Sequence, residues 1–198
     1  DTIVAQGCRP IGVPVKISKC NGTLLTEMDE QPPLDLLEKI HEELNENDKR
    51  LVQTSLFLGI EMDPLKDNPQ QGDFLIRNIM GADRASGGIQ VGAMLREGQL
   101  VQFHLRDKDM SAEDLRLVLN RYKTEEHAKK ASGALLFSCL GRGQYLYGTP
   151  NHDSDMFRDQ LGDIPLGGFF CNGEIGPVGK TTFLHGYTSS FGIFHPAH

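Results

Sequence analysis

Three short stretches share one design. Gly7-Cys8-Arg9-Pro10, Ser138-Cys139-Leu140-Gly141-Arg142-Gly143 and Cys171-Asn172-Gly173-Glu174 each set a thiol at the edge of an apolar run, with glycine and a charged or amide group beside it. Glycine lets backbone N–H groups come close to a bound molecule, and strand ends that turn sharply gather side chains from distant parts of a chain. Arg9 and Arg142 carry the planar fork that grips a carboxylate through two hydrogen bonds, and Glu174 can receive an ammonium. Together these groups describe a pocket for an amino-acid-sized polar ligand, with Arg77, His104 and Arg106 as its polar wall. Each motif alone also fits a structural role, since a buried thiol packs as a small hydrophobe and glycine runs make turns.

Catalytic alternatives use the same residues. Cys139 or Cys171 beside His152 or His185 would make a nucleophile and its base, provided the fold brings them within reach. His104 and His185 are candidate acid/base groups, although a lone histidine is more often hydrogen-bonded structure. Two resemblances to nucleotide sites fail on context. The run Glu174–Thr181 ends like a phosphate-binding loop, but glutamate stands where its first glycine belongs, and β-rich sequence follows where a helix is needed. Gly141-Arg142-Gly143 has only two glycines of the dinucleotide fingerprint. The cysteines at 8, 20, 139 and 171 show no short zinc-ligand spacing, so neither metal nor cofactor is expected.

Bulk properties narrow the partners. The chain has 198 residues, 38% of them hydrophobic, enough for one ordinary domain or two small ones sharing a sheet. Its formal charge of −7 opposes binding to nucleic acid or anionic lipid, and the absence of Trp with 7% aromatics opposes base stacking. No apolar run approaches the roughly 20 residues of a membrane span. Four cysteines without a C-x-x-C pair suit reduced thiols, which predicts a cytoplasmic protein. A start at Asp1 that leads directly into apolar sequence predicts a piece of a longer chain.

The elements that must position these groups follow from pattern. Extended runs are expected at 2–5 and 13–19, with a type I′ hairpin turn at Asn21-Gly22. Pro32-Pro33 opens a helix with Leu34, Leu37, Ile40 and Leu44 on one face, ended by polar residues 45–50, before a buried strand over 51–60. Residues 63–72 read as a loop. Strands follow at 74–80, 88–95 and 100–106, the last two joined as a hairpin through Arg96–Gln99, with Val101, Phe103 and Leu105 opposite Gln102, His104 and Arg106. Ser111 is expected to cap a helix over 112–122, with Asp114 completing the cap and Leu115, Val118, Leu119 and Tyr122 buried; residues 125–130 form a charged linker. A strand at 133–140, a glycine-rich loop at 141–150, a helix at 154–161 capped by Asp153 or Ser154, and extended runs at 164–171 and 183–194 around a second glycine-rich loop, 172–179, complete the chain. About ten strands and about three helices in mixed order predict an α/β or α+β fold with a mixed, largely antiparallel sheet.

Several of these stretches are similar to one known family. Gly7–Gly12, Gly72–Arg77, Val101–Asp107, Leu135–Gly143 and Gly167–Pro177 resemble the FIST family, whose name abbreviates F-box and intracellular signal transduction, over nearly the whole chain. The sequence looks like the carboxy-terminal FIST segment of a bacterial, cyanobacterial-type protein, with residues 1–30 completing a missing amino-terminal FIST domain and 31–195 forming the core. The resemblance implies a sensory module that binds a small ligand such as an amino acid and feeds a signalling output through the amino-terminal domain or a partner protein. In eukaryotes the same segment beside an F-box implies partner recruitment, and no catalytic mechanism accompanies the family. Its glycine-rich motifs fall on Cys8, Arg9, Arg142, Asn172, Glu174 and Gly176. Lys180 departs from the pattern, which has a glycine after Gly179.

Overall fold

The computed structural model describes residues 1–66, 69, 71–125, 128, 130–179 and 181–196; Lys180 and parts of 125–130 lie outside them. Among the described residues, twelve strands and five helices, in mostly antiparallel pairing, form a mixed α+β fold. The chain divides into two compact units, residues 8–106 and residues 1–7 with 107–198.

The first unit is a closed antiparallel barrel. Its strands are β2 (Arg9–Asn21), β3 (Leu24–Met28), β4 (Leu56–Glu61), β5 (Phe74–Asp83), β6 (Gly88–Val91) and β7 (Leu100–Leu105), in the order β2-β3-β6-β5-β4-β7. Val101, Phe103 and Leu105 of β7 join Ile17, Leu25, Leu58 and Ile89 in the barrel core. Helix α1 (Pro33–Glu43) lays Leu34, Leu37 and Ile40 against that core. The β2–β3 turn is centred one residue later than the Asn-Gly signal suggests. Asn21 pairs with Leu24, so Gly22 and Thr23 are central, and only Gly22 takes a positive φ, as a type II′ turn requires.

Two other expectations differ here. Polar residues 45–50 start a helix instead of ending one. The Asn45 side chain accepts from the backbone N–H groups of Asn47 and Asp48, opening α2 (Glu46–Thr54), and the strand begins only at Leu56. The Arg96–Gln99 turn does not make a hairpin, since β6 pairs with β3 and β5 while β7 pairs with β2 and β4.

The second unit is layered. A four-stranded sheet runs β1 (Thr2–Ala5), β12 (Ser189–Phe194), β8 (Gly133–Cys139), β9 (Leu166–Cys171), and only β8 and β9 are parallel. Alternation along the strands sends Ile3, Ala5, Ala134, Phe191 and Ile193 to one face, where they meet Leu115, Leu119 and Tyr122 of α3 (Lys108–Lys123) and Phe157 of α5 (His152–Leu161). The hairpin of β10 (Glu174–Val178) and β11 (Thr181–His185) packs on the opposite face, so the second glycine-rich loop contains a strand. A Cβ on Gly176 would come within 2.3 Å of Val4 Cγ2, so this crossing needs glycine.

The cap of helix α3 lies four residues before the expected one. Asp107 accepts from the Met110 N–H, while Ser111 and Asp114, inside the helix, bind Gly7: the Ser111 hydroxyl donates to its carbonyl at 3.1 Å, and its N–H donates to the Asp114 carboxylate at 2.8 Å. The residues chosen as caps instead fasten the end of β1.

Gly168 sits opposite Leu136 in the parallel pairing, and a Cβ there would lie 2.0 Å from the Leu136 carbonyl oxygen. Backbone cannot retreat as a flexible side chain can. Gly168→Ala is therefore expected to destabilise the protein by about 2–4 kcal/mol in chemical denaturation, and a change below about 0.5 kcal/mol would show that β9 does not hold this register.

Candidate functional site

The ends of the two parallel strands make the site. Chain leaving β8 turns through Gly141–Gly143 into the single helical turn α4 (Gln144–Tyr147), then through Pro150 and Asn151 into α5. Asn151 takes a left-handed conformation and its side chain makes no cap, in place of the expected caps Asp153 and Ser154. Asp153 is thereby freed for a different partner.

That partner is Arg142, whose side chain is fully enclosed. Its Nε donates to one Asp153 oxygen at 2.8 Å and its Nη2 to the other at 3.2 Å; Nη2 also donates to the Tyr147 hydroxyl at 2.6 Å, and Nη1 to the Tyr187 carbonyl at 3.4 Å. Asp153 accepts further hydrogen bonds from Ser138 Oγ, at 3.2 Å, and Ser189 Oγ, and His152 Nδ1 stands 3.1 Å away. Burial opposes ionisation of Asp153, but His152, the Arg142 charge and the hydroxyl of Ser189 outweigh it, holding the carboxyl well below the usual carboxylate range. Burial equally opposes the Arg142 charge, and Asp153 more than restores it. The pair welds the loop after β8 to the first turn of α5.

Beside this weld lies a cavity of about 540 Å³. Leu136, Leu166, Gly168 and Phe170 from the sheet line it on one side, and Gly143, Gln144, Asn151, His152 and Ser154 on the other. Its size and mixture of apolar surface with a few polar groups are those of a small-molecule site. The His152 ring stacks on Tyr147 at 3.5 Å between centroids, which fixes that wall.

The sequence-chosen residues fall into three groups. Cys139, Cys171 and Glu174 come together on the sheet face opposite the cavity. The Cys171 thiol donates to Glu174 Oε1 at 3.5 Å, the Thr188 N–H donates to Oε2 at 3.2 Å, and Cys139 is near enough to favour the charged carboxylate. Burial raises the Glu174 carboxyl above the ordinary range, with the Thr188 hydrogen bond opposing it in part. Gly176 belongs to the same hairpin, and its carbonyl lies 2.9 Å from His185 Nε2, while Asn172 is exposed at the preceding turn.

In the barrel unit, Cys8 is buried, Arg9 pairs with the buried Asp48 carboxylate, and Arg77 is half-buried on β5, where desolvation lowers its pKa. His104 and Arg106 occupy the expected face of the β7 segment with Gln102, and all three are buried. His104 is 1% exposed, lies edge-on to Phe74 at 5.3 Å, and has Nδ1 3.0 Å from the Gln102 carbonyl. Burial lowers its pKa to about 4, against a smaller opposing effect of the Gln102 carbonyl. Arg142 is held by Asp153 as described, and the cavity is lined by neighbours of the chosen residues, Ser138, Gly143 and Phe170 among them. Asp153 is legible in sequence only as part of a helix entry, and His152 only as that and as a candidate base for a cysteine, because nothing local shows a carboxylate turning inward.

Two measurements follow. Arg142→Met leaves Asp153 buried without its cation and is expected to cost about 3–5 kcal/mol, whereas Arg142→Met with Asp153→Leu should recover most of that loss; equal losses in the single and double variants would contradict an ion-pair origin. The second concerns His104, whose folded pKa lies below its unfolded one, so its contribution is present above about pH 6.5 and lost as pH falls toward about 4. Wild type should lose about 2–3 kcal/mol more than His104→Gln between about pH 7 and about pH 4.5, and parallel pH profiles would contradict a buried neutral imidazole.

Comparison with known proteins places these features in context. The FIST C domain model matches residues 33–177. An uncharacterized protein of Mycobacterium bovis is 42% identical over 192 residues, covering 97% of this chain and 50% of its own length. An F-box/LRR-repeat protein of Arabidopsis thaliana is 25% identical over 226 residues, 96% of this chain and 42% of that protein, and F-box only protein 22 of Homo sapiens is 30% identical over 108 residues, 46% and 27% respectively. The chain spans about half the length of its mycobacterial relatives. Among the described residues, no helix is long and apolar enough to cross a membrane.

Proposed function

Because the chain belongs to the FIST C domain family, a family associated with signal transduction, we propose that it is a small-ligand-binding sensory segment of a signalling protein. The cavity at the ends of β8 and β9 carries this reading. Leu136, Leu166 and Phe170 offer an apolar wall to the body of a ligand, and Gln144, Asn151, His152 and Ser154 offer hydrogen bonds to its polar end. An apolar or neutral polar amino acid, or a molecule of that chemistry, suits such a lining. Arg142 serves from behind the wall, keeping the loop and α5 in place, and the proposed output passes to an amino-terminal FIST domain or a partner protein. Ligand shifts that output only to the extent that it binds one conformation of these loops better than another.

A second reading has its own support. Strand β9 is the edge of its sheet, with Phe169 and Phe170 63% and 56% exposed, and an open apolar edge can accept a strand from a partner protein. Relatives named as F-box proteins agree with an interaction module.

Thermal-shift titration with the common amino acids separates the two. The sensory reading expects a saturable rise in melting temperature with at least one of them, since a ligand that binds only the folded state stabilises it by mass action, and expects Ser154→Trp to abolish the rise by filling the cavity. No rise with any amino acid, or a rise that survives in Ser154→Trp, would falsify this assignment.

A further inference from the structure

Cys139 and Cys171 are direct register partners, each the last residue of its strand in the parallel β8–β9 pair. Neighbouring strands lie about 4.8 Å apart, and register partners point to the same face, so their Cα separation falls in the range of about 4.4–6.8 Å that a disulfide spans. Glu174 sits beside the pair: it accepts from the Cys171 thiol at 3.5 Å, and Cys139 is near enough to act on the charge of both Glu174 and Cys171. Both cysteines are free and partly exposed, whereas Cys8 is buried and Cys20 lies in the barrel unit. Burial, with the nearby Glu174 charge, raises the Cys171 thiol and favours its protonated form at rest, although the Gly173 N–H acts the other way.

We propose that Cys139 and Cys171 form a reversible dithiol–disulfide pair that exchanges with small disulfides. One thiol, as thiolate, attacks a sulfur of the small disulfide; its S–S bond breaks and the first small thiolate leaves. The second protein thiolate then attacks the mixed disulfide, forming the Cys139–Cys171 bond and expelling the second small thiolate. The two protons lost by the protein thiols end on the two small thiols, and the small disulfide is the oxidant, reduced by the two electrons the protein gives up. The bond would clamp β9, which among the described residues pairs with β8 alone, to the rest of the sheet. The thiols lie on the face opposite the cavity, so this chemistry stands or falls separately from ligand binding.

The test equilibrates the whole chain in graded mixtures of reduced and oxidised glutathione, quenches with an alkylating reagent and maps the peptides by mass. The expected result is a product lighter by about 2 Da in which Cys139 and Cys171 are linked, reversed by dithiothreitol, and accompanied by a higher melting temperature. Cys8→Ser with Cys20→Ser should leave this unchanged, and Cys171→Ser should yield only a glutathione adduct with no rise in melting temperature. Thiols that remain reduced across the series, links that involve Cys8 or Cys20, or glutathione adducts on the wild type without the Cys139–Cys171 link would each overturn the proposal.

Discussion

A guanidinium shut away from water must find its counter-charge inside the protein, and Arg142 finds it in Asp153. Much of the second unit is arranged around that requirement. The Asp153 oxygens are shared among Arg142, Ser138, Ser189 and His152, which draws together β8, β12 and the first turn of α5. Tyr147 takes another Arg142 donor and stacks on His152, so α4 is fixed by the same network. What stays open between the loop and the sheet is the cavity. The Arg142–Asp153 network ties the loop and α5 on one side of it, and holding a site's walls in place lowers the entropy that any binding event would cost.

The two units solve the problem of strand edges differently. Six strands closed into a barrel leave no edge, and their apolar faces make one continuous core. The four-stranded sheet buries one face under α3 and α5 and the other under a hairpin, while β9 keeps an open side. Along that open strand the chain places two glycines, two exposed phenylalanines and a terminal thiol. Covered strands are built for stability, and this one has groups available for chemistry or contact.

Local signals in the sequence are strong where one residue type has one physical use. The apolar stripe of α3, the proline start of α1 and the alternation along β7 are all legible, and the mixed, largely antiparallel fold is legible with them. Closure of the barrel is not legible, because it depends on which strands pair, and the Arg96–Gln99 turn looks like a hairpin although its flanking strands find other neighbours. Polar residues with several uses mislead most: Ser111 and Asp114 have the spacing of a helix cap but hold Gly7, and Asn45 has the composition of a helix end but starts a helix. The motif Ser138–Gly143 marks the right strand end. The carboxylate that completes it lies eleven residues beyond Arg142, on a helix whose inward turn only the folded chain displays.

The proposed sensory role requires the space between the β8–β9 strand ends and the start of α5 to receive a small molecule. Two-dimensional amide NMR of the labelled chain, titrated with individual apolar and neutral polar amino acids, tests it most directly. The expected result is saturable shifts concentrated at Gly143, Gln144, Asn151–Ser154, Gly167 and Gly168, with the barrel amides of 9–105 unmoved. Spectra that stay unchanged through every titration, or shifts that saturate only in the barrel, would contradict it.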